Sequence, residues 1–236
     1  MAISDSQDSI LVVAALSLEL KALNRSSHPG LALLETGEGV SNTERSMDAW
    51  LERQTPRAVL SIGFAGALTP SLQAGDLVLA AKVHDADGTP NDELLAAAKR
   101  VKIDSPVYFG TAITSHKILW QAESKRALAR SLVPNEMAFV DMESKAVASV
   151  CAQRGLPFLI VRAISDLLDE DLPLDFNKYR NRDGRVDQGK VMSAALLRPR
   201  AWAGLFDLQK RSELCARRLG EFVQRLVSLY NRQVEA

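Results

Sequence analysis

The segment from Phe139 to Asp166 constrains the fold more than any other stretch of the chain. It reads FVDMESKAVASVCAQRGLPFLIVRAISD, which predicts a short strand ending in acidic residues, a helix of about three turns, a turn at Gly155 and a second apolar strand. The second strand delivers Ser165 and Asp166 at its carboxyl end. Ligands of α/β proteins usually bind at this end of the strands. The unit is therefore the first candidate for an active site.

Length and composition favour one α/β domain. The 236 residues are 47% apolar and 25% charged, without a break in composition, so we expect a single domain over residues 1–236. The 29 basic and 29 acidic residues cancel, which argues against nucleic acid as a partner. The N-terminus is acidic, and the apolar run ILVVAAL is too short to span a bilayer. We therefore expect a cytoplasmic protein.

The cysteines and histidines do not predict a metal site. Cys151 and Cys215 lie in helical patterns without metal-ligand spacing, which favours packing in a reducing compartment. His84, Asp85 and Asp87 follow a strand, but no second histidine or cysteine lies nearby to complete a ligand set. We interpret these three residues as a hydrogen-bonded rim or an interface.

The first half of the chain alternates strands and helices. A helix that Ser17 caps and that begins LELKAL places Glu19 in its first turn, where the helix dipole alone could explain a carboxylate. Gly37 and Gly39 follow the second strand, while Gly63 and Gly66 follow a third strand predicted over Ala58–Ile62. Such glycines either form plain tight turns or leave backbone N–H groups free to meet a ligand.

The chain after Asp166 is predicted to form a lid and a terminal helix. Residues 167–189 are polar, turn-rich and long for a connection within a compact domain. Phe176 and Tyr179 either anchor this lid or contact the ligand. Apolar residues at helical spacing predict a buried stripe along a helix over 202–230. The basic residues of that helix form a solvated face or, alternatively, meet an anionic membrane surface.

Three segments of the chain match one known family in their residues and their order. They are AALSLEL, SIGFAGALTPSLQAGDLVLA and VDMESKAVASVCAQRGLPFLIVRAISD, and they resemble the nucleoside phosphorylase superfamily, particularly its methylthioadenosine/S-adenosylhomocysteine nucleosidases. The resemblance implies a three-layer α/β/α fold with a central mixed, partly barrel-like sheet. It also implies a homodimer that cleaves the N-glycosidic bond of a purine nucleoside, of the adenine type, without a metal or an organic cofactor.

The resemblance further implies roles for individual residues. Asp166 is expected to be the general acid at the departing purine, with Ser165 orienting it. Glu143, together with Met142, is expected to hold the ribose, and Glu19 is expected to activate the attacking water. Further substrate contacts are expected from the glycine-containing segment and the short strand: Gly63, Phe64, Ala65, Gly66, Phe139 and Val140.

These roles agree with the chemistry of the reaction. Breaking a C–N glycosidic bond develops positive charge on the sugar and negative charge on the base, as in glycoside hydrolysis. Anionic Glu19 and Glu143 suit the sugar, and a protonated Asp166 suits the base. The apolar strand before Asp166 favours a neutral carboxyl by desolvation. A general acid of this kind contributes about 10²–10⁴-fold to the rate.

The sequence leaves the nucleophile and the substrate open. Bulky Phe64 stands where the nucleosidases carry a small residue, and the tail RDGRVDQGKVMSAALLRPRAWAGL resembles hopanoid-associated phosphorylases, which act on an adenosylated lipid. Phosphate is then the co-substrate, and the lipid brings peripheral membrane contact. Glu19 favours water, because its charge repels a phosphate dianion. A non-catalytic nucleoside-binding protein is a further alternative, which the presence of all three carboxylates disfavours.

Overall fold

The computed structural model describes residues 9–24, 30–134, 136–181, 184–196 and 199–234. The strands in this part of the chain are β1 (Ile10–Ala14), β2 (Leu31–Glu35), β3 (Ala58–Ala67), β4 (Leu77–Val83), β5 (Val107–Thr114), β6 (Ala138–Asp141) and β7 (Phe158–Asp166). The α-helices are α1 (Ser17–Asn24), α2 (Val40–Leu51), α3 (Asp92–Lys99), α4 (Ala122–Ala129), α5 (Ser144–Arg154), α6 (Gln188–Leu196) and α7 (Pro199–Val234). A 3-10 turn spans Phe176–Tyr179.

The sheet closes on itself. Hydrogen bonds join β3 to β6, β6 to β5, β5 to β4, β4 to β7, and β7 back to β3, while β1 and β2 extend the sheet from β3. The β3–β6 and β4–β7 pairs are antiparallel and the other pairs are parallel. Closure removes exposed strand edges within the barrel. The structure thus confirms the predicted α/β fold with a mixed, partly barrel-like sheet.

Two apolar clusters fill the two faces of the sheet. The first cluster includes Leu20 of α1 and Phe222 of α7, and the second includes Met47 of α2 and Val147 of α5. The apolar stripe predicted for the terminal helix packs into the first cluster, where Cys215 lies. Cys151 is a second buried free thiol, in the other cluster. Helices on both faces of the sheet produce the three layers.

Strand β3 is longer than its sequence predicts. The expected strand ends at Ile62, whereas β3 continues through the glycine-containing stretch to Ala67. The reason is barrel closure: β7 pairs with β3 as far as Gly66, and β6 pairs with Gly66 and Ala67. These neighbours satisfy the backbone groups of residues that would otherwise form a turn.

The terminal helix also begins earlier than predicted. Helix α7 starts at Pro199 rather than at residue 202, and it extends to Val234. Proline is tolerated in the first helical turn, where its missing N–H has no helical partner in any case. No helix in the described ranges is both long and apolar enough to cross a membrane.

Candidate active site

Glu19 lies at one end of the site, buried against β3. Helix α1 follows β1 directly, so its first turn lies at the carboxyl end of that strand. Glu19 Oε1 accepts the N–H of Phe64 at 2.8 Å, and Oε2 accepts the N–H of Leu16 at 2.8 Å. A Cβ atom at Gly63 would lie only 2.9 Å from Oε1. Glycine at this position therefore permits the close approach of the carboxylate to the strand.

The burial of Glu19 changes its acidity. Desolvation raises the pKa of Glu19 to about 7, although the N–H groups of Leu16 and Phe64 and the charge of Arg162 act in the opposite direction. A carboxylate with a pKa near neutrality is well suited to accept a proton from water at neutral pH.

Asp166 lies at the other end of the site, as the last residue of β7. Ser165 Oγ donates to Asp166 Oδ1 at 2.8 Å, which is the orienting contact expected from the sequence. Lys125 Nζ donates to Asp166 Oδ2, also at 2.8 Å. A Cβ atom at Gly66 would lie 3.0 Å from Asp166 Oδ2 and 3.3 Å from Val140 Cγ1. Both oxygens of the carboxylate are therefore held.

The surroundings of Asp166 differ from the apolar ones that the sequence predicts. Lys125 of α4 has no exposed surface, and its ammonium lies between Asp166 and the carbonyl oxygen of Leu167. The sequence does not single out Lys125, because it reads as part of a basic helix surface. The available signal was its helical spacing: Lys125 shares a face with Ala122 and Leu128.

The two ends of the site are connected by one stretch of strand. Gly63 faces Glu19 and Gly66 faces Asp166. At about 3.3 Å per residue, these glycines are about 10 Å apart along β3. The two carboxylates therefore approach β3 about three residues apart, near its carboxyl end.

Glu143 lies at the turn between β6 and α5. The N–H of Gly39 donates to Glu143 Oε1 at 2.7 Å, and the N–H of Met142 donates to Oε2 at 3.3 Å. Burial, and next the charge of Asp141, raise the pKa of Glu143 to about 8. The charge of Glu19 also raises this pKa, so the two carboxyl groups lie within electrostatic reach of each other.

An ion pair beneath the site fixes this turn. Arg162 is only 1% exposed, although it lies in the middle of β7. Its Nε donates to Asp141 Oδ2 at 2.7 Å, and its guanidinium also donates to the carbonyl oxygen of Ser61 at 3.1 Å. Asp141 Oδ1 accepts the N–H of Ser144 at the start of α5. The sequence does not identify Asp141 as the partner of Arg162, although a cation within the apolar run FLIVRAI requires a buried partner.

The structure does not bring all the predicted contact residues to the site. Phe139 is 0% exposed and Ala65 is nearly so; both pack in the cluster under α2 and α5. The ring of Phe64 packs against the other cluster, so its N–H rather than its side chain meets Glu19. Val140 is the member of this group whose side chain lies near Gly66 and Asp166. The barrel buries the other side chains in its packing layers.

The lid predicted after β7 is fastened to two neighbouring segments. Asn177 accepts the N–H of Ile118 at 2.9 Å and donates to its carbonyl oxygen at 2.8 Å, which ties the lid to the loop before α4. On the other side, the guanidinium groups of Arg180 and Arg185 lie against Gly39 and Gly37, respectively. The lid therefore contacts both the loop before α4 and the turn that holds Glu143.

The apolar residues of the lid serve as anchors. Phe176 and Tyr179 are half-buried and pack against a small cluster of Leu174, Val191 and Ala201. This cluster joins the lid to α6 and to the start of α7. Of the two roles that the sequence left open for Phe176 and Tyr179, these contacts favour anchoring.

His84 and Asp85 help to line a cavity of mixed polar and apolar surface. His84 Nδ1 is 3.2 Å from Asp85 Oδ2, and both side chains are exposed. Within the described residues, no three His, Cys, Asp or Glu side chains come together as they would around a metal ion. The cavity has a volume of about 280 Å³ and is lined by Val40, Glu44, His84, Asp85, Ile113, Thr114, His116, Lys145 and Ser149.

Comparison with known proteins finds one family repeatedly. The family model described as "Phosphorylase superfamily" matches residues 29–197. A 5'-methylthioadenosine/S-adenosylhomocysteine nucleosidase from Marinomonas sp. (strain MWYL1) is 32% identical over 174 residues, which cover 63% of this chain and 73% of that protein. The nucleosidase of the same description from Geobacillus kaustophilus (strain HTA426) is 30% identical over 182 residues, 68% of this chain and 77% of that protein.

Solved structures share the whole architecture. The 5'-methylthioadenosine/S-adenosylhomocysteine nucleosidase of Neisseria meningitidis, in complex with methylthio-immucillin-A, superposes with a TM-score of 0.70 at 20% identity, covering 93% of this chain and 98% of that one. The futalosine hydrolase of Helicobacter pylori strain 26695 gives a TM-score of 0.69 at 18% identity, covering 94% of this chain and 97% of that one. At these identities the likeness establishes the fold.

Proposed function

The chain belongs to the phosphorylase superfamily and is an enzyme that cleaves the N-glycosidic bond of a purine nucleoside, and we propose that it hydrolyses adenine nucleosides. The main support is the position of Glu19 and Asp166 at opposite ends of the Gly63–Gly66 stretch. One carboxylate faces the sugar side and the other faces the base side. That is the separation of roles which the charge development of this reaction requires.

On the sugar side, Glu19 and Glu143 have different roles. Ionised Glu19 accepts a proton from the attacking water, whose oxygen bonds to the anomeric carbon. Glu143 holds the ribose hydroxyls, and its position is fixed by the N–H of Gly39. Ionised Glu19 stabilises the positive charge that develops on the sugar, while Glu143, whose pKa is raised to about 8, acts through hydrogen bonds.

On the base side, Asp166 supports the departure of the purine. The electron pair of the broken C–N bond moves to the base, which takes up a proton at a ring nitrogen. Ser165 fixes one carboxylate oxygen of Asp166, so the other faces the stretch beside Gly66. A positioned acid lowers the barrier because the base then leaves as a neutral molecule.

Water is favoured over phosphate as the nucleophile by the contacts of the cations. Arg162 is committed to Asp141 and Ser61, and Arg45 donates to the side chain of Asn42. The carboxylate of Glu19 occupies the position beside Gly63 and repels a phosphate dianion when it is ionised. Phosphorolysis is nevertheless the competing reaction, because Arg180 and Arg185 bring two guanidinium groups to the Gly37–Gly39 turn.

A product assay separates the two reactions. The purified protein is incubated with adenosine, methylthioadenosine and adenosylhomocysteine, with and without inorganic phosphate, and adenine and the sugar product are quantified by chromatography. We expect adenine and free sugar at the same rate in both conditions. Formation of a sugar 1-phosphate only when phosphate is present would show that the reaction is phosphorolysis and not hydrolysis.

A second candidate keeps the reaction but changes the substrate to an adenosylated lipid. Three large apolar side chains are exposed where α6 meets the start of α7: Met192 (49%), Trp202 (41%) and Phe206 (60%). Lys210 lies over the Phe206 ring at 4.3 Å, which adds a cation to this face. Aromatic and basic residues together are typical of helices that lie at a membrane surface. The face also adjoins the lid through the cluster around Val191.

Membrane contact has its own test. The protein is sedimented with vesicles of neutral or anionic phospholipid, and the double variant Trp202→Ser/Phe206→Ser is compared with the parent. Val133→Ser removes an apolar residue exposed to 69% elsewhere on the surface and serves as the matched control. If the parent protein does not sediment with anionic vesicles, the small nucleosides remain the preferred substrates. The packing of Phe176 and Tyr179 within the lid cluster already favours them.

A further inference from the structure

A buried cation, Lys125, lies beside the carboxylate on the base side of the site. Lys125 is 0% exposed, and its ammonium donates to Asp166 Oδ2 at 2.8 Å and to the carbonyl oxygen of Leu167 at 2.5 Å. We propose that Lys125 is a positioning residue for the departure of the base: it holds the Asp166 carboxylate in place and replaces the proton that Asp166 gives to the purine. This inference rests on the proposed function and names a further residue for it.

The position of Lys125 is fixed by the segment that follows Asp166. The first N–H of helix α4, that of Ala122, donates to Asp171 Oδ1 at 2.7 Å. Arg126 pairs with Asp169 at 2.9 Å on the outer side of the same helix. Helix α4 is thus attached to residues 167–171 both through its start and through its side chains. The ammonium is held beside Asp166 before any substrate binds, which is the preorganisation that a proton-transfer step needs.

The hydrogen bonds of Asp166 show why a second group is needed. Ser165 occupies Oδ1 and Lys125 occupies Oδ2, so the carboxylate is oriented from both sides. A carboxylate that faces an ammonium at hydrogen-bond distance forms a charge-assisted pair. Within this pair the ammonium is the group that carries protons, and the carboxylate is the group that faces the site.

The proton balance of the step is complete. As the C–N bond breaks, its electron pair goes to the purine. A proton from Lys125 Nζ crosses to the Asp166 carboxylate, leaving a neutral amine, and the Asp166 carboxyl passes a proton to a ring nitrogen of the purine. The water gives its oxygen to the anomeric carbon and one proton to Glu19. After the products leave, Glu19 releases that proton to solvent, and Lys125 regains one.

The experiment compares four variants of the full-length protein with one control variant. Lys125→Met removes the ammonium and keeps most of the side-chain stem, and Lys125→Gln keeps an N–H donor but has no proton to transfer. Asp166→Asn and the double variant Lys125→Met/Asp166→Asn complete a double-mutant cycle. Arg130→Met is the matched control, because it removes an exposed cation from the end of the same helix. The kcat and KM for adenine release are measured for each variant.

A role through Asp166 gives a specific pattern. Lys125→Met and Lys125→Gln are expected to lower kcat by about tenfold or more, since a general acid contributes about 10²–10⁴-fold, while KM changes little. Adding Lys125→Met to Asp166→Asn is expected to lower kcat by less than about threefold further, because coupled residues are not additive. Arg130→Met is expected to keep the parental kcat.

Other outcomes overturn the inference. A purely structural role predicts that the two losses in the cycle multiply, and parental kcat in either the Met or the Gln variant excludes a proton supplied by Lys125. If Lys125→Met does not fold, as judged by circular dichroism, the Gln variant decides. A parent protein that releases no adenine from any adenine nucleoside overturns the proposed function and this inference together. An active parent whose Lys125 variants keep parental kcat overturns only the inference.

Discussion

Two buried ion pairs involve strand β7, and they differ in one respect. The Arg162–Asp141 pair has side chains exposed to 2% and 1%, and the Lys125–Asp166 pair has side chains exposed to 0% and 12%. The two N–O distances are almost equal, at 2.7 and 2.8 Å. The first pair is sealed, whereas the second leaves its carboxylate partly open beside Gly66. The same interaction can therefore fix a framework at one point of a strand and present a reactive group at another.

Glu19 extends the comparison to a third buried carboxylate. Glu19 accepts hydrogen bonds from backbone N–H groups, including those of Leu16 and Phe64. These donors do not offset desolvation, and the pKa of Glu19 therefore rises to about 7. Glu19, which must accept a proton, thus has backbone donors as its direct partners. Asp166, which must deliver a proton, is paired with the ammonium of Lys125.

Breaking the sealed pair is expected to have the largest effect on stability. Arg162→Met leaves Asp141 buried without its counter-charge, which is expected to lower the free energy of unfolding by about 3–5 kcal/mol. Urea unfolding followed by circular dichroism measures this change. Arg154→Met, which removes an exposed pair with Asp48, is the control and is expected to cost less than about 1 kcal/mol. Equal stability of the two variants would contradict the framework role of Arg162.

The pH dependence of stability sharpens the contrast with Glu19. Its pKa is raised in the folded state, so the folded protein binds a proton more tightly than the unfolded chain does. The stability that Glu19 contributes is then greatest below its ordinary pKa of 4.5 and is lost as the pH rises toward about 7. This pKa shift corresponds to a loss of about 3 kcal/mol in the free energy of unfolding. The loss is measured by urea unfolding at pH values between 4.5 and 7.5.

Glu19→Gln isolates this contribution. The variant has no carboxyl group at position 19 and is expected to lose most of the decline that Glu19 causes over this range. Glu143, whose pKa is also raised, maintains a remaining decline of the same sign toward pH 8. A parent and a Glu19→Gln variant with parallel stability curves would show that burial does not perturb Glu19.

Adding a methyl group beside either carboxylate is expected to have the smallest effect of the three. The Cβ of Gly66→Ala would lie 3.0 Å from Asp166 Oδ2, and that of Gly63→Ala would lie 2.9 Å from Glu19 Oε1. Each variant is expected to lower kcat by about tenfold, or about 1.4 kcal/mol in the barrier, by displacing its carboxylate.

The pH–rate profile distinguishes the two glycine variants. Gly63→Ala disturbs the group whose pKa is about 7 and is expected to move the limb of the kcat/KM profile on which activity rises with pH. Gly66→Ala leaves Glu19 in place and is expected to lower the whole profile without moving that limb. Identical changes in both profiles would mean that the two ends of the stretch do not act separately.

The sequence predicts the three carboxylates because each belongs to a local motif. Glu19 opens a helix, Glu143 follows a short strand, and Asp166 ends a longer one, and the resemblance of these three segments to the nucleosidases implies their roles. The contacts of these groups depend on tertiary structure. Lys125 reads as one cation in a basic helix, and only the docking of α4 on residues 167–171 turns it toward Asp166.

Barrel closure explains the remaining differences between expectation and structure. Pairing of β3 with β6 and β7 converts the predicted glycine loop into strand, and packing under α2 and α5 buries Phe139. A strand motif alone does not reveal which of its side chains face the packed layers of a closed barrel. The position of Arg162 within an apolar strand was the clearest unused signal, because a buried guanidinium requires a partner.

The release of adenine by the parent, Glu19→Gln and Asp166→Asn proteins tests the central claim most directly. All three are incubated with the best adenine nucleoside in the absence of phosphate, and the first-order rate is measured at saturating enzyme. We expect the parent to release adenine and each variant to do so about 10²–10⁴-fold more slowly, with the fold retained. Release by Asp166→Asn at the parental rate would contradict the assignment of the two carboxylates to opposite ends of the reaction.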